Sequence, residues 1–246
     1  MRKISVTRYV TPLREGGSLP AIVEGDDNGL YVLKFRGAGQ GARALVAELV
    51  AGELARATGL PVPEIVFAEL DPDLARTEPD PEIQELIRAS AGLNLALDYL
   101  PGSVMFDPVA DSPDRFLASC IVWFDALVTN IDRTAKNTNL LMWHGKLWMI
   151  DHGAAMYFHH AASDFVSRAK DPFAAVKDHV LLRFADGIAE ADTVLCSRLT
   201  REAIERVVAL VPEAWAGEPS RYTDYFMARL ESPRAFVEEA IRARSA

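Results

Sequence analysis

The stretch from Asn130 to Gly153 restricts the fold more than any other part of the chain. A long apolar run, Phe116 to Val128, gives way to the polar run Asn130-Ile131-Asp132-Arg133-Thr134-Ala135-Lys136-Asn137-Thr138-Asn139. Two short apolar runs follow, Leu140 to Trp143 and Leu147 to Ile150, flanking His144-Gly145-Lys146, which predicts a β-hairpin. Asp151 emerges at the end of the second strand, with Gly153 two positions on. Because a hairpin folds back, Asp151 can return close to Asn137 although it lies fourteen positions further along the chain. A carboxylate and a carboxamide meeting there form a hard, oxygen-rich site, suited to Mg²⁺ rather than zinc. Asp132, five positions before Asn137, is placed to accept a proton from an attacking hydroxyl. The same run is also compatible with plain turn chemistry, in which Asn and Asp side chains bond the local backbone.

The first hundred residues narrow that choice. Ile4 to Val10 alternates apolar and polar residues and predicts a strand. Leu19 to Glu24 and Leu30 to Phe35 are two more, joined through Gly25-Asp26-Asp27-Asn28-Gly29, where Asn-Gly is a hairpin cue. Between the first two strands, Gly16, Gly17 and Ser18 would let backbone N–H groups approach a phosphate, although an ordinary loop accounts for them equally well. Lys34 interrupts the apolar segment Tyr31-Val32-Leu33-Lys34-Phe35; it is either an edge-strand lysine facing water or a lysine that pairs nucleotide phosphates. The second reading needs a helix glutamate. The segment Ala42 to Thr58 predicts that helix, stopped at Gly59-Leu60-Pro61, and it carries Glu48 and Glu53. Five positions are about 500° of helix, so the two glutamates point roughly 140° apart and only one can face Lys34; Glu48 is the expected partner.

Ile65 to Leu70 predicts a further strand, Asp71 to Asp80 a surface loop and Ile83 to Ser90 a short helix. Leu93 to Leu100 is a last strand, broken by Pro101-Gly102, as a hinge would be; adenine would bond backbone groups near Asp98, Tyr99 and Leu100. After residue 100 the pattern turns mostly helical. Pro113 to Asn130 predicts a core helix in which Asp125 is a buried acid partnered by Arg133, and Asp171-Pro172 predicts another helix start. Helical patterns also run near Asp192–Leu199, Arg201–Leu210 and Asp224–Ala243. A domain boundary is expected near residue 100.

Charge and cysteine usage bound the partners. With 26 basic and 35 acidic residues the net charge is −9, which argues against a general nucleic-acid binder and offers anionic membranes no broad attraction. Cys120 and Cys196 sit among apolar helical neighbours and are expected to be free thiols of a reducing compartment. No apolar run approaches the roughly 20 residues of a membrane span, so a cytoplasmic location is expected.

Strand lysine, helix glutamate, hinge, Asp-x-x-x-x-Asn and Asp-x-Gly in this order resemble the HipA-like kinases, which are related to the phosphatidylinositol 3/4-kinases. Two local echoes are Glu48 ahead of Gly59-Leu60-Pro61-Val62-Pro63, and Asp132-Arg133-Thr134-Ala135-Lys136-Asn137. The resemblance implies an α+β, bilobal, protein-kinase-like fold. Residues 1–100 would form a small antiparallel-sheet lobe with one main helix, and 101–246 a larger helical lobe. It implies ATP and Mg²⁺, with Asp132 as catalytic base, Lys34 and Glu48 as an ion pair serving the phosphates, and Asn137 and Asp151 as metal ligands. Gly16, Gly17, Ser18, Lys34, Asp98, Tyr99 and Leu100 would contact the nucleotide, and Ser18 is a candidate autophosphorylation site. His152 stands where typical protein kinases carry Phe, and Arg133 follows the base as in lipid-kinase-like sequences.

The expected activity is transfer of the γ-phosphate of MgATP to a hydroxyl, Ser or Thr of a protein substrate, with no nucleic acid and no membrane span. The alternatives are a small-molecule or lipid kinase of the same fold, or a nucleotide-binding pseudokinase acting as an interaction module. Lys34, Asp132, Asn137 and Asp151 together favour an enzyme.

Overall fold

The computed structural model describes residues 1–13, 19–39, 41–160, 166–215 and 218–246. Gly16, Gly17 and Ser18 lie outside the described residues. Five strands come from the first hundred positions: β1 (Lys3–Pro12), β2 (Ala21–Gly25), β3 (Leu30–Lys34), β4 (Ile65–Leu70) and β5 (Gly92–Asp98). They pair in the order β1-β2-β3-β5-β4. The sheet departs from an all-antiparallel expectation at one point, because β1 runs parallel to β4 and closes it. Such a pairing needs a long crossover, which the chain between β1 and β4 provides. The β2–β3 turn forms as its Asn-Gly predicts: Asn28 takes φ 63°, and the Asp27 carboxylate accepts from the Gly29 N–H at 3.0 Å.

Alternation along these strands sorts the residues into two cores. Val66, Ala68 and Leu70 of β4 and Ala96 of β5 fill the inside of the sheet with Ile4, Val23, Tyr31 and Leu33. Ile65, Leu95 and Leu97 face the other way, onto helix α1 (Ala42–Ala57) and the larger core. Ten of the sixteen residues of α1 are buried, so it is a strut between the sheet and the helical half and not a surface helix. Its end is fixed as the sequence predicts: Gly59 takes φ 84°, and the Leu60 N–H reaches back to the Ala55 carbonyl at 3.0 Å.

The segment 71–80, expected to be a loop, contains a 3₁₀ turn, Pro72–Thr77, before helix α2 (Pro81–Ala89). Past residue 100, strand β6 (Val104–Met105) joins the hairpin β7 (Leu140–Trp143) and β8 (Lys146–Met149) in a second sheet. His144 and Gly145 both take positive φ at the hairpin turn. Helix α3 (Arg115–Val128) is capped by Asp114, which accepts from the Leu117 N–H at 2.7 Å, and every residue from Ala118 to Val128 is buried. Helices α4 (Ile188–Arg198) and α7 (Ala235–Ser245) pack against it, and α5 (Arg201–Val208) packs against α1 and α6 (Ser220–Leu230).

Two helix expectations are corrected here. Asp171-Pro172 does not start a helix: the Asp171 carboxylate pairs with Arg168 at 3.1 Å instead of capping, its carbonyl accepts from the buried Arg229, and only a 3₁₀ turn, Ala174–Asp178, follows. The pattern near Asp224–Ala243 is two helices, because Pro233 has no N–H to continue the ladder. Arg234, just after the break, instead bonds both oxygens of Asp192 at 2.8 Å. Cys120 is buried and Cys196 only half-buried, and both are free. Among the described residues no helix is long and apolar enough to cross a membrane.

Candidate active site

A cleft of about 640 Å³ opens between the first sheet and the β6–β8 hairpin region. Strand alternation decides what enters it. Tyr31 and Leu33 point into the sheet core, so Val32 and Lys34 face the cleft. Asp98, Tyr99 and Leu100 line the cleft, with Met105, Leu141 and Ile150 on the opposite wall. The Asp98 N–H is already bonded to the Glu64 carbonyl at 2.8 Å, and the Tyr99 N–H to the Leu30 carbonyl at 3.0 Å. Of these three positions, the Leu100 N–H is the donor left to a ligand.

Lys34 meets two acids. Its ammonium lies 2.7 Å from Asp151 Oδ1 and 3.7 Å from Glu48 Oε2. Glu53, on the other face of α1, pairs with Arg56 at 3.3 Å. Glu48 is 1 % exposed. Burial alone pushes its carboxyl up, but Lys34 and then His152 outweigh burial and hold it well below the usual range. For Lys34 burial works against the charge, and the two carboxylates reverse that and raise it. His152, fully buried, brings Nδ1 to 3.6 Å from Glu48 Oε1. Room for this packing comes from Gly52, where an added Cβ would lie 2.4 Å from Ile65 Cδ1. Asp151 itself takes φ 54°, so the chain turns sharply as it leaves the hairpin.

Asn137 and Asn139 line the cleft, and Asp132 is bonded to both. Asn137 Nδ2 donates to Asp132 Oδ2 at 2.8 Å and Asn139 Nδ2 to the same oxygen at 3.2 Å. The Asp132 N–H is held by Asn130 Oδ1 at 3.1 Å. One carboxylate oxygen is therefore fixed, and among the described residues none bonds Oδ1. With its Nδ2 engaged, Asn137 has Oδ1 as its remaining side-chain polar atom, and both Asn137 and Asp151 line the cleft.

Beneath the loop lies a buried network. Arg133 Nε bonds Asp125 Oδ2 at 2.5 Å, and His179 Nε2 meets the same oxygen at 2.9 Å. The Leu181 N–H donates to His179 Nδ1 at 3.0 Å, which leaves the ring proton on Nε2, facing Asp125. Burial pushes the Asp125 carboxyl up, but Arg133 and then His179 overcome it and hold it strongly down. The Arg133 guanidinium also binds the Asn139 carbonyl and, at 3.3 Å, the Ile150 carbonyl. One side chain thus ties the Asp132 loop to the residue before Asp151. The sequence paired Asp125 with Arg133 but did not point to His179, which lies 54 positions from Asp125 with no shared motif. Asn139 was legible only as one Asn among three in the loop.

The family model of the HipA-like kinases matches residues 6–239. The chain belongs to the HipA-like kinase family. It is thereby placed with the phosphotransferases. Its fold is also similar to that of the Helicobacter pylori proinflammatory kinase CtkA, at 14 % identity and TM-score 0.57, over 98 % of each chain. The Golgi casein kinase matches at 8 % identity and TM-score 0.55, over 100 % of this chain and 74 % of that one. A second structure of that enzyme, with Mn and ADP bound, matches at 9 % identity and TM-score 0.55, over 99 % of this chain and 73 % of that one. At these identities the structural likeness speaks for fold. Curated protein sequences give no match.

Proposed function

We propose that this HipA-like kinase transfers the γ-phosphate of MgATP to a Ser or Thr hydroxyl of a protein. The observation that carries the reading is convergence: Lys34, Asn137 and Asp151 line one cleft, and Asp132 is bonded to Asn137. The two parts of the chain that supply them, 1–100 and 101–246, would act as the two lobes of a kinase.

In this reading adenine lies along Asp98–Leu100 and accepts from the Leu100 N–H, while Lys34, steered by Glu48, faces the phosphates. The acceptor hydroxyl gives its proton to Asp132 Oδ1 as its oxygen bonds the γ-phosphorus and the bond to the bridging oxygen breaks, releasing ADP. Asn137 and Asp151 would hold Mg²⁺. Their donors fit it: one carboxylate and one carboxamide oxygen facing an open cleft leave space for the waters this ion retains. When bound, Mg²⁺ neutralises negative charge on the phosphates. Arg133 keeps the base and the Asp151 turn in fixed relation.

The test is incubation with γ-labelled ATP and Mg²⁺, wild type beside Asp132→Asn, read by intact mass and by labelled protein acceptors. Transfer by the wild type, with a loss of at least about 100-fold in a variant that still binds ATP, is the expected result. Undiminished turnover in Asp132→Asn would remove Asp132 as the base.

A further inference from the structure

Outside the nucleotide cleft, a second groove of about 500 Å³ runs past the other side of the catalytic loop. Val109, Ala135, Lys177, Asp178, Arg183 and Arg244 are among its walls. It is joined to the loop directly: Thr134 and His179 form a β-bridge, and the Val180 N–H donates to the Arg133 carbonyl at 3.1 Å. Ala135, in its wall, is three positions from Asp132, and Lys136 follows on the same exposed turn. A chain lying in this groove would present its side chains beside the base.

The charge of the groove sets it apart from the rest of the molecule. The chain carries nine more acids than bases, and most of its cations are engaged. Among the described residues, the side chains of six lysines and arginines make neither an ion pair nor a hydrogen bond; three of them, Lys177, Arg183 and Arg244, line the groove, and a fourth, Lys136, follows its Ala135, the others being Lys146 and Arg206. The Arg183 guanidinium is held over the Phe184 ring, 4.5 Å from its centroid, and Arg244 Nε is buried without a hydrogen-bond partner. Asp178 is the one carboxylate in the wall. At the rim Val109 is 88 % exposed on a turn closed by Asp107, which accepts from the Val109 N–H at 2.8 Å. Unpaired cations grouped beside a catalytic loop, with an apolar contact at the edge, are complementary to an acidic peptide segment.

We infer that this groove receives the acceptor protein and selects hydroxyls flanked by Asp or Glu. The inference rests on the phosphotransferase reading and adds the substrate class to it. The overall acidity of the chain disfavours a nucleic-acid occupant, because long-range repulsion would oppose a polyanion everywhere except at this patch.

Three Ser-containing peptides, flanked by Glu, by Gln or by Lys, test it in two assays: phosphate transfer with labelled ATP, and fluorescence anisotropy without turnover. Both are repeated with Lys177→Glu and Arg183→Glu, whose side chains are exposed, with melting curves to verify folding. The expected result is preference for the Glu peptide, a KM for it raised about tenfold by each reversal, and weaker selection at high salt. Equal use of the three peptides by an enzyme that transfers phosphate would overturn the groove assignment and leave the kinase reading standing. Acid-selective binding that the reversals abolish, without transfer to any peptide, would uphold the groove and count against the catalytic reading. Absence of acid-selective binding, or tighter capture of single-stranded RNA than of the Glu peptide, would overturn the inference.

Discussion

Lys34 and Glu48 are informative as single residues because each is costly alone. A carboxylate that is 1 % exposed persists as an anion only with a cation beside it, and Lys34 is that cation. Replacing Lys34 by Met leaves Glu48 buried and unpaired. The expected loss is about 3 kcal/mol at neutral pH, by the usual cost of breaking a buried pair. In that variant stability should rise as pH falls and Glu48 takes up a proton. Adding Glu48→Gln to Lys34→Met should recover most of the loss, because the charge and its missing partner then disappear together. Urea midpoints of the two single variants and the double variant read this coupling directly. Purely additive losses would mean that the pair is not coupled, and that Lys34 bonds Asp151 alone.

At the scale of elements, α1 and the Asp132 loop build the candidate site. Valine in place of Gly52 would push α1 away from Ile65 and withdraw Glu48 from Lys34; the expected outcome is a destabilised protein with at least tenfold weaker ATP binding, measured by calorimetry. The loop depends on Asp125. Its folded carboxyl titrates below the unfolded value of about 3.9, so its contribution is complete above about pH 4 and drains as pH falls toward the folded value. Asp125→Asn should cost about 3–5 kcal/mol at pH 7, since Arg133 stays buried beside a neutral amide, and the variant should lose less further stability on acidification than the wild type. Denaturation midpoints between pH 7 and pH 3 test both statements. These elements were unequally legible in sequence. The bounds of β4, Ile65–Leu70, and the hairpin of β7 and β8 follow from alternation and turn residues, which are local signals. The facing of Glu48 follows from helix geometry. His179 and the parallel closure of β1 on β4 do not, because each is fixed by a partner over fifty positions away. The split between α6 and α7 hangs on Pro233, which periodicity alone passes over.

On the scale of the whole molecule, the cleft makes ligand binding a link between distant parts of the chain. Val32, Lys34 and Leu97 come from the first sheet, while Met105, Asn137 and Asp151 come from beyond residue 100. A nucleotide held by both groups stabilises the folded chain as one unit, by about 2.7 kcal/mol when present at 100 times its Kd. For a chain of this size that corresponds to a rise in Tm of roughly 5–10 °C. If Asn137 and Asp151 hold the ion, ATP with Mg²⁺ should raise Tm more than ATP with a chelator, and Asp151→Ala should remove the difference. The control matters, because Asp151 also bonds Lys34 at 2.7 Å, and its loss frees that ammonium for the phosphates. ATP without metal should therefore bind the Asp151→Ala variant at least as well as it binds the wild type. A variant that keeps the full Mg²⁺-dependent increment would take Asp151 out of the metal site and leave it as a partner of Lys34 alone.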